Sequence, residues 1–395
     1  MSIKKKLGIY STATQESQAS RTAESLGFGD TQLRSIAPFV FERIVQTENP
    51  RGGGQNLQYY LPFRVSGILD LALVKHVDAI HPEELLFLDT ETTGLSRGTG
   101  TFPFLVGLAC LRGKTLITRQ LLLTSPAGET AFLEAIQQEI RRHSFLVTYN
   151  GKSFDIPLLA TRLILQRDRL AAPVYHFDLL HILRRLFPHR RLASYRQGDL
   201  ERELLNVTRE GDLSGAQIPQ IYFDYVKYGT DTGMERIIEH NHLDLLGMVF
   251  LFLEAVRVYT EKDTSRSTLR SGIARLLARN HRYAEALDLA SEISQIKNDL
   301  SREKNFLYRD ALFRAWLERK NGEYTKAATS FLEISERCEC PYSRLALVRI
   351  LVHKLKKPDE ALVHTRILMR LTRSDEEREE LAKREQRLIK KSRSL

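Results

Sequence analysis

Asp89 and Glu91 stand one residue apart at the end of an apolar run, in L-L-F-L-D-T-E-T-T-G-L (85–95). In a strand, residues i and i+2 face the same side, so this run delivers two carboxylates side by side. Like charges at that spacing repel and are costly to desolvate. A metal cation between them removes the conflict. Two further segments offer the same kind of group. V-T-Y-N-G-K-S-F-D (147–155) reads as a strand end at Tyr149–Asn150, followed by a glycine-containing loop that leads to Asp155. E-H-N-H-L-D-L-L-G-M-V-F-L-F (239–252) reads as a helix with His240 and Asp244 at i and i+4, on one face. Gathered in one place, Asp89, Glu91, Asp155 and Asp244 make a hard-oxygen site suited to two divalent cations, Mg²⁺ or Mn²⁺. His240 beside it is a base, with an ordinary pKa of about 6.5.

The elements that must position these groups follow from periodicity. F-V-F-E-R-I-V-Q-T (39–47), R-G-G-G (51–54) and Q-Y-Y-L-P-F (58–63) read as strand, turn and strand. I-L-D-L-A-L-V (68–74) reads as a short helix. Strands are expected at 85–90, 104–111 and 116–124, with R-G-K-T (112–115) turning between the last two. Their short links imply an antiparallel meander. A helix follows over 127–142, with Phe132, Leu133, Ile136 and Ile140 at helical spacing. F-L-V-T-Y-N-G (145–151) is a buried strand. A helix over 155–166 has Asp155 near its N-cap and Pro157 in its first turn. V-Y-H-F-D-L-L (174–180) is a further strand, and Asp178 within it is read as a helix cap. The order β-β-β-α-β-α-β is that of a ribonuclease-H-like mixed sheet flanked by helices, in the α/β class. Its first, fourth and fifth strands run parallel, and ligands sit at the carboxyl ends of such strands.

At 395 residues the chain has room for two or three domains. Residues 1–80 read as an N-terminal extension with a β-hairpin, whose first 35 or so residues form a poorly ordered or helical arm. Residues 81–262 read as the ribonuclease-H-like domain, and 263–395 as an α-helical repeat-like domain. In the last, N-H-R-Y-A-E-A-L (280–287), N-G-E-Y-T-K-A-A (321–328) and L-K-K-P-D-E-A-L (355–362) align on alanines 286, 327 and 361. Small residues at fixed places suit helical hairpins resembling tetratricopeptide repeats. No apolar run is long enough to span a membrane, and no secretion signal is read at the N-terminus. Cys110, Cys338 and Cys340 are too few for a disulfide framework, which points to a reducing, cytoplasmic compartment. The C-E-C pair reads as two incidental thiols. A net charge of +10 and a pI near 9.4 suit an anionic polymer as partner.

D-T-E, N-G-K-S-F-D and H-N-H-L-D resemble the three exonuclease motifs of the DEDD superfamily. More closely, T-E-T-T-G-L-S-R-G-T-G-T-F-P-F-L-V-G (90–107), Y-N-G-K-S-F-D-I-P-L-L (149–159), F-D-L-L-H-I-L-R-R-L-F (177–187) and I-P-Q-I-Y-F-D-Y (218–225) resemble the YprB-like family of ribonuclease-H-like proteins, a bacterial group of predicted exonucleases. The resemblance covers roughly residues 84–256. It implies a 3′→5′ exonuclease that hydrolyses phosphodiester bonds by two-metal-ion chemistry. It also implies that Asp89 bridges both metals and that Glu91 and Asp244 hold the one carrying the attacking water. Asp155 would assist the other metal. His240 stands at the spacing that many of these enzymes give to a tyrosine.

Arg97 and Lys152, in the loops beside the first and second motifs, are placed to meet phosphates. R-R-L-F-P-H-R-R-L-A-S-Y-R (184–196) carries Arg184, Arg185, Arg190 and Arg191 with Phe187 and Tyr195 between basic residues. That mixture suits a nucleic-acid strand with a 3′ end. Solvated arginines on an amphipathic helix are the plainer alternative. The alternative function is a catalytically silent nucleic-acid-binding scaffold whose helical repeats recruit a protein partner. RNA and DNA are left open.

Overall fold

The apolar runs at 85–88, 104–111 and 116–123 become the centre of an eight-stranded mixed sheet in the computed structural model. It describes residues 24–61, 65–77, 79–94, 100–171, 175–187, 194–209, 211–263, 267–293, 304–337, 340–372 and 374–392. These fall into two units. One runs to Arg185 and resumes from Ser194 through Glu261; the other holds Leu186, Phe187 and the residues from Lys262 onward.

In the first unit, β1 (Ser25–Phe28), β2 (Thr31–Ala37) and β3 (Val40–Glu48) are followed by a small ribbon of β4 (Arg51–Gly52) and β5 (Gln55–Asn56). Then come β6 (Leu85–Thr92), β7 (Pro103–Arg112), β8 (Thr115–Leu123), β9 (Phe145–Thr148) and β10 (Tyr175–Asp178). The sheet order is β1-β2-β3-β8-β7-β6-β9-β10. β6, β7 and β8 form the antiparallel meander, and β9 and β10 run parallel to β6. The helices are α1 (Gly67–Ala72), α2 (Glu129–Arg141), α3 (Asp155–Leu165), α4 (Leu179–Leu186), α5 (Gln197–Leu200), α6 (Ile218–Tyr228) and α7 (Met234–Thr260). Phe132, Leu133, Ile136 and Ile140 of α2 are all buried, as their spacing requires. Tyr222 of α6 stacks on Phe104 of β7 at 3.9 Å and donates its hydroxyl to the Leu123 carbonyl.

Three local expectations are corrected. Residues 24–37 are not part of an irregular or helical arm. They form β1 and β2, and β3 pairs with β8 over nine residues, so the N-terminal segment extends the same sheet. Thr31 and Leu33 turn inward while Gln32 and Arg34 stay exposed, the alternation of a strand with one wet face. Q-Y-Y-L-P-F does not open as a strand. Leu57–Tyr60 is a 3-10 turn capped by the Asn56 side chain, which accepts from the Tyr59 amide; residues 62–64 lie outside the described residues. The segment 174–180 is a strand only to Asp178, where α4 begins.

The second unit is wholly helical among its described residues. Its helices are α8 (Ser267–Arg279), α9 (Tyr283–Ile293), α10 (Lys304–Lys320), α11 (Tyr324–Arg337), α12 (Pro341–His353), α13 (Pro358–Leu371) and α14 (Asp375–Ser392). Each packs on the next. Ala286, Ala327 and Ala361, aligned by sequence, lie in α9, α11 and α13 and are completely buried. A small residue at the same place in alternate helices lets successive hairpins approach closely. Among the described residues no helix is long and apolar enough to cross a membrane.

Candidate metal centre

Leu85 to Leu88 lie buried in the middle of the sheet, and exposure begins at Asp89. A strand whose sheet is covered on both faces reads as a continuous apolar run, so polar groups enter only where the strand emerges at its carboxyl end. Asp89 and Glu91 occupy that end of β6. β9 ends beside it, and the loop Tyr149–Phe154 carries the chain to Asp155, the first residue of α3. Asp178 shapes this loop. Its Oδ1 accepts from the Asn150 and Leu180 amides and its Oδ2 from the Lys152 amide. Asp178 thus caps α4 and holds the loop with one carboxylate, the structural role expected of it. The Thr90 hydroxyl donates to Asp155 Oδ1.

α7 supplies the other wall. His240, Asn241 and Asp244 lie on the turn of α7 that crosses the sheet at Gly107 of β7. A side chain at Gly107 would put a Cβ 2.3 Å from Asn241 Oδ1 and 2.7 Å from Leu245 Cδ1, so glycine is what lets the helix come down. Gly107 pairs with Asp89 on one side and Gln120 of β8 on the other. Asn241 spans the gap: it accepts from Gln120 Nε2 at 2.9 Å and donates from Nδ2 to Asp89 Oδ2 at 2.8 Å.

Glu91, His240 and Asp244 offer one ligand atom each, all within 4.8 Å of one another. His240 Nε2 is 3.4 Å from Asp244 Oδ2 and 3.9 Å from Glu91 Oε1. The three side chains keep 13, 14 and 20% of their surface exposed for Glu91, His240 and Asp244, so the cluster opens to solvent. On its far side, His240 Nδ1 lies 2.6 Å from Asp212 Oδ1. An ionised carboxylate only accepts, so Nδ1 carries a hydrogen toward Asp212, and Nε2 faces Glu91 and Asp244. Burial works against the Asp212 charge, but the hydrogen bonds and charges of His240 and Arg209 hold its carboxyl below the ordinary range.

Arg209 ties the outer edge together. Its guanidinium donates to Asp244 Oδ1 at 2.6 Å, to both oxygens of buried Glu201 at 2.6 and 2.9 Å, and to Asp212 Oδ2 at 3.3 Å. Gly247 makes room for Glu201, whose Oε1 lies 1.9 Å from where a Cβ would be. Gln197 bonds both Glu201 Oε1 and the Asp244 carbonyl. Burial lowers the Arg209 pKa, but Asp244 and Glu201 outweigh it and raise the proton affinity.

One arginine does not balance the site. Burial, then the charges of Asp244 and Asp155, push the Asp89 carboxyl well above the ordinary range. Glu91 is pushed up by burial and then by Asp89, Asp244, Asp155 and Asp212. Asp155 is pushed up to about 6 by burial, against the Thr90 hydrogen bond. Carboxylates that share a pocket and raise one another's proton affinity lack a positive charge. All-oxygen donors with one imidazole at the mouth fit a hard divalent cation.

Five sequence candidates meet here: Asp89, Glu91, Asp155, His240 and Asp244. The basic candidates behave differently. Lys152 and Arg184 are exposed, with Arg184 over the Tyr195 ring at 5.6 Å. Arg185 donates to the Leu71 carbonyl at 3.0 Å, which ties it to the fold. Arg97, Arg190 and Arg191 lie outside the described residues. Asn241, Asp212, Arg209, Glu201 and Gln120 were not singled out from the sequence. Asn241 carried a signal, since it sits inside H-N-H-L-D; Arg209 and Asp212 sit in a loop with no periodicity to place them.

A family model described as RNase_H superfamily matches residues 86–256, the span that holds every member of the cluster. The uncharacterized protein YprB of Bacillus subtilis (strain 168) is 32% identical over 285 residues, covering 70% of this chain and 67% of that protein. With the sheet order, the carboxylates at the end of its central strand and this similarity, the chain belongs to the YprB-like family of ribonuclease-H-like proteins.

Proposed function

We propose that the chain is a metal-dependent nuclease that shortens single-stranded nucleic acid from its 3′ end. A ribonuclease-H-like domain suggests nuclease-type activity and a nucleic-acid ligand. The observation that carries the reading is the meeting of Glu91, His240 and Asp244 within 4.8 Å, beside two more carboxyls whose proton affinity burial has raised. Asp89, Glu91, Asp155 and Asp244 would hold two Mg²⁺ or Mn²⁺ ions. Bound there, such ions activate water and stabilise the leaving oxygen of a phosphodiester.

The chain's own residues do the rest. His240 Nε2 takes a proton from the attacking water, and Asp212 keeps Nδ1 protonated and steadies the imidazolium that forms. The water oxygen bonds to phosphorus, the P–O3′ bond breaks, and the released nucleotide keeps its 5′-phosphate. Asn241 fixes the rotamer of Asp89, and Arg209 that of Asp244. Lys152 and Arg184, with Arg97, Arg190 and Arg191, are the proposed phosphate contacts. The second unit fits a tetratricopeptide-like reading, supported by its buried alanines at 286, 327 and 361.

A second reading, a silent scaffold with a protein partner on its helices, has one observation on its side. Arg209 already pairs with Asp244 Oδ1, so one face of a proposed ligand is taken by the protein's own cation. Purified protein with 5′-labelled single-stranded RNA and DNA in Mn²⁺ separates the two. A ladder shortening from the 3′ end, lost with EDTA and in Asp89→Ala, supports the nuclease. Tight binding without cleavage supports the scaffold.

A further inference from the structure

The excess positive charge of this chain lies in one unit. Of 59 Lys and Arg and 49 Asp and Glu, residues 262–395 hold 30 and 20. That leaves 29 of each in residues 1–261, so the helical unit carries the whole net charge of +10. Within that unit a row of aromatic rings and cations crosses three helices. Arg275 of α8 lies 4.4 Å over the ring of Phe313 in α10. Phe313 stacks toward Trp316 at 6.0 Å with an interplanar angle of 15°. Trp316 meets Tyr283 of α9 edge-on at 5.7 Å. Lys320 Nζ sits 5.4 Å from the Trp316 ring and 5.6 Å from that of Tyr283.

These rings are not core residues. Ala315 and Leu317, on either side of Trp316, are completely buried, whereas Phe313, Trp316 and Tyr283 each stay partly exposed. Phe313, Trp316 and Lys320 follow one another at i, i+3 and i+7, a separate face of α10. Lys320 and Arg279 are exposed and form no ion pair among the described residues. Partly exposed rings beside unpaired cations are the combination that takes bases by stacking and phosphates by charge.

We infer that the helical unit binds single-stranded nucleic acid along Phe313, Trp316 and Tyr283, with Lys320 and Arg279 meeting phosphates. The surface is distinct from the carboxylate cluster, and the inference holds whether or not that cluster hydrolyses anything. Stacking on π-faces tolerates any base, so affinity follows strandedness and salt more than sequence.

Trp316 is the chain's single tryptophan, so its fluorescence reports on this row alone. The full chain in EDTA, where no metal-dependent cleavage interferes, is titrated with oligo-uridine, oligo-thymidine and a duplex of equal length, with anisotropy of labelled strands read in parallel. The expected result is saturable quenching of Trp316 by both single strands, weakening as salt rises. Lys320→Glu with Arg279→Glu reverses two exposed charges without touching the core; its melting curve should match the parent. In it the midpoint should move at least tenfold to higher oligonucleotide concentration, and the salt slope should become shallower by about 0.7 for each phosphate no longer neutralised. The inference is overturned by any of three results: strands that bind by anisotropy while Trp316 stays unquenched, a double variant that binds as the parent does, or a duplex that quenches equally.

Discussion

Asn241 Nδ2 donates to Asp89 Oδ2 at 2.8 Å across the gap left by Gly107, while Gln120 holds the other end of the Asn241 amide at 2.9 Å. Because Asn241 and Gln120 are both fully buried, each hydrogen bond contributes roughly 0.5–1.5 kcal/mol and costs more if one partner is orphaned. The carboxylate at the heart of the cluster is therefore aimed by the packing of α7 on β7. Gly107→Ala tests this. The added Cβ forces helix and sheet apart, and we expect a loss of about 1–3 kcal/mol in denaturant unfolding. Nuclease activity should fall further than stability does, since Asp89 loses its orientation.

The His240–Asp212 pair makes a second prediction. Asp212→Ala removes the acceptor that keeps hydrogen on Nδ1 and frees the imidazole to turn. Loss of such a partner typically costs 10–100-fold in activity, so kcat should drop by about that factor. Asp212→Asn, whose carbonyl still accepts, should recover part of it. Single-turnover rates on a labelled oligonucleotide check both; rates equal to the parent in Asp212→Ala would show that His240 does not depend on it.

Stability against pH gives a third. The Asp155 carboxyl has an ordinary value of 3.8 and is pushed up to about 6 in the fold. A group raised in this way contributes stability that is complete below its ordinary value and is lost as pH rises through its folded value. For Asp155 the loss is on the order of 3 kcal/mol, and Asp89 and Glu91 add to it in the same direction. The metal-free protein should thus melt at a lower temperature at about pH 7.5 than at about pH 5. Mn²⁺, which replaces the displaced protons as counter-charge, should raise Tm more at the higher pH. Glu91→Gln should raise the metal-free Tm and blunt the Mn²⁺ effect. Thermal melts with and without EDTA read all of these.

The three motifs were legible because each places its acid by local rules. Asp89 and Glu91 share a strand face, Asp155 opens a helix after a glycine loop, and His240 and Asp244 share a helix face. What supports them was not legible. Arg209 and Asp212 reach the cluster from an aperiodic loop, and only the packing of that loop against α7 brings them there. The first strands differ. β1 is only four residues long, but T-Q-L-R in β2 alternates buried and exposed residues after a Gly-Asp turn, a period-2 signal. Q-Y-Y-L is the opposite case. Its aromatic content suits a strand, but Asn56 caps it into a turn.

The carboxylates around Asp89 would hold metal ions at the scissile phosphate. The most direct test replaces a non-bridging oxygen of that phosphate by sulfur and compares cleavage in Mg²⁺ and in Mn²⁺. Sulfur binds Mg²⁺ poorly and Mn²⁺ better, as hard and softer cations should. Strong slowing in Mg²⁺ that Mn²⁺ relieves is expected for one of the two sulfur stereoisomers. Equal slowing in both metals, or no cleavage of the unmodified strand in either, would contradict it.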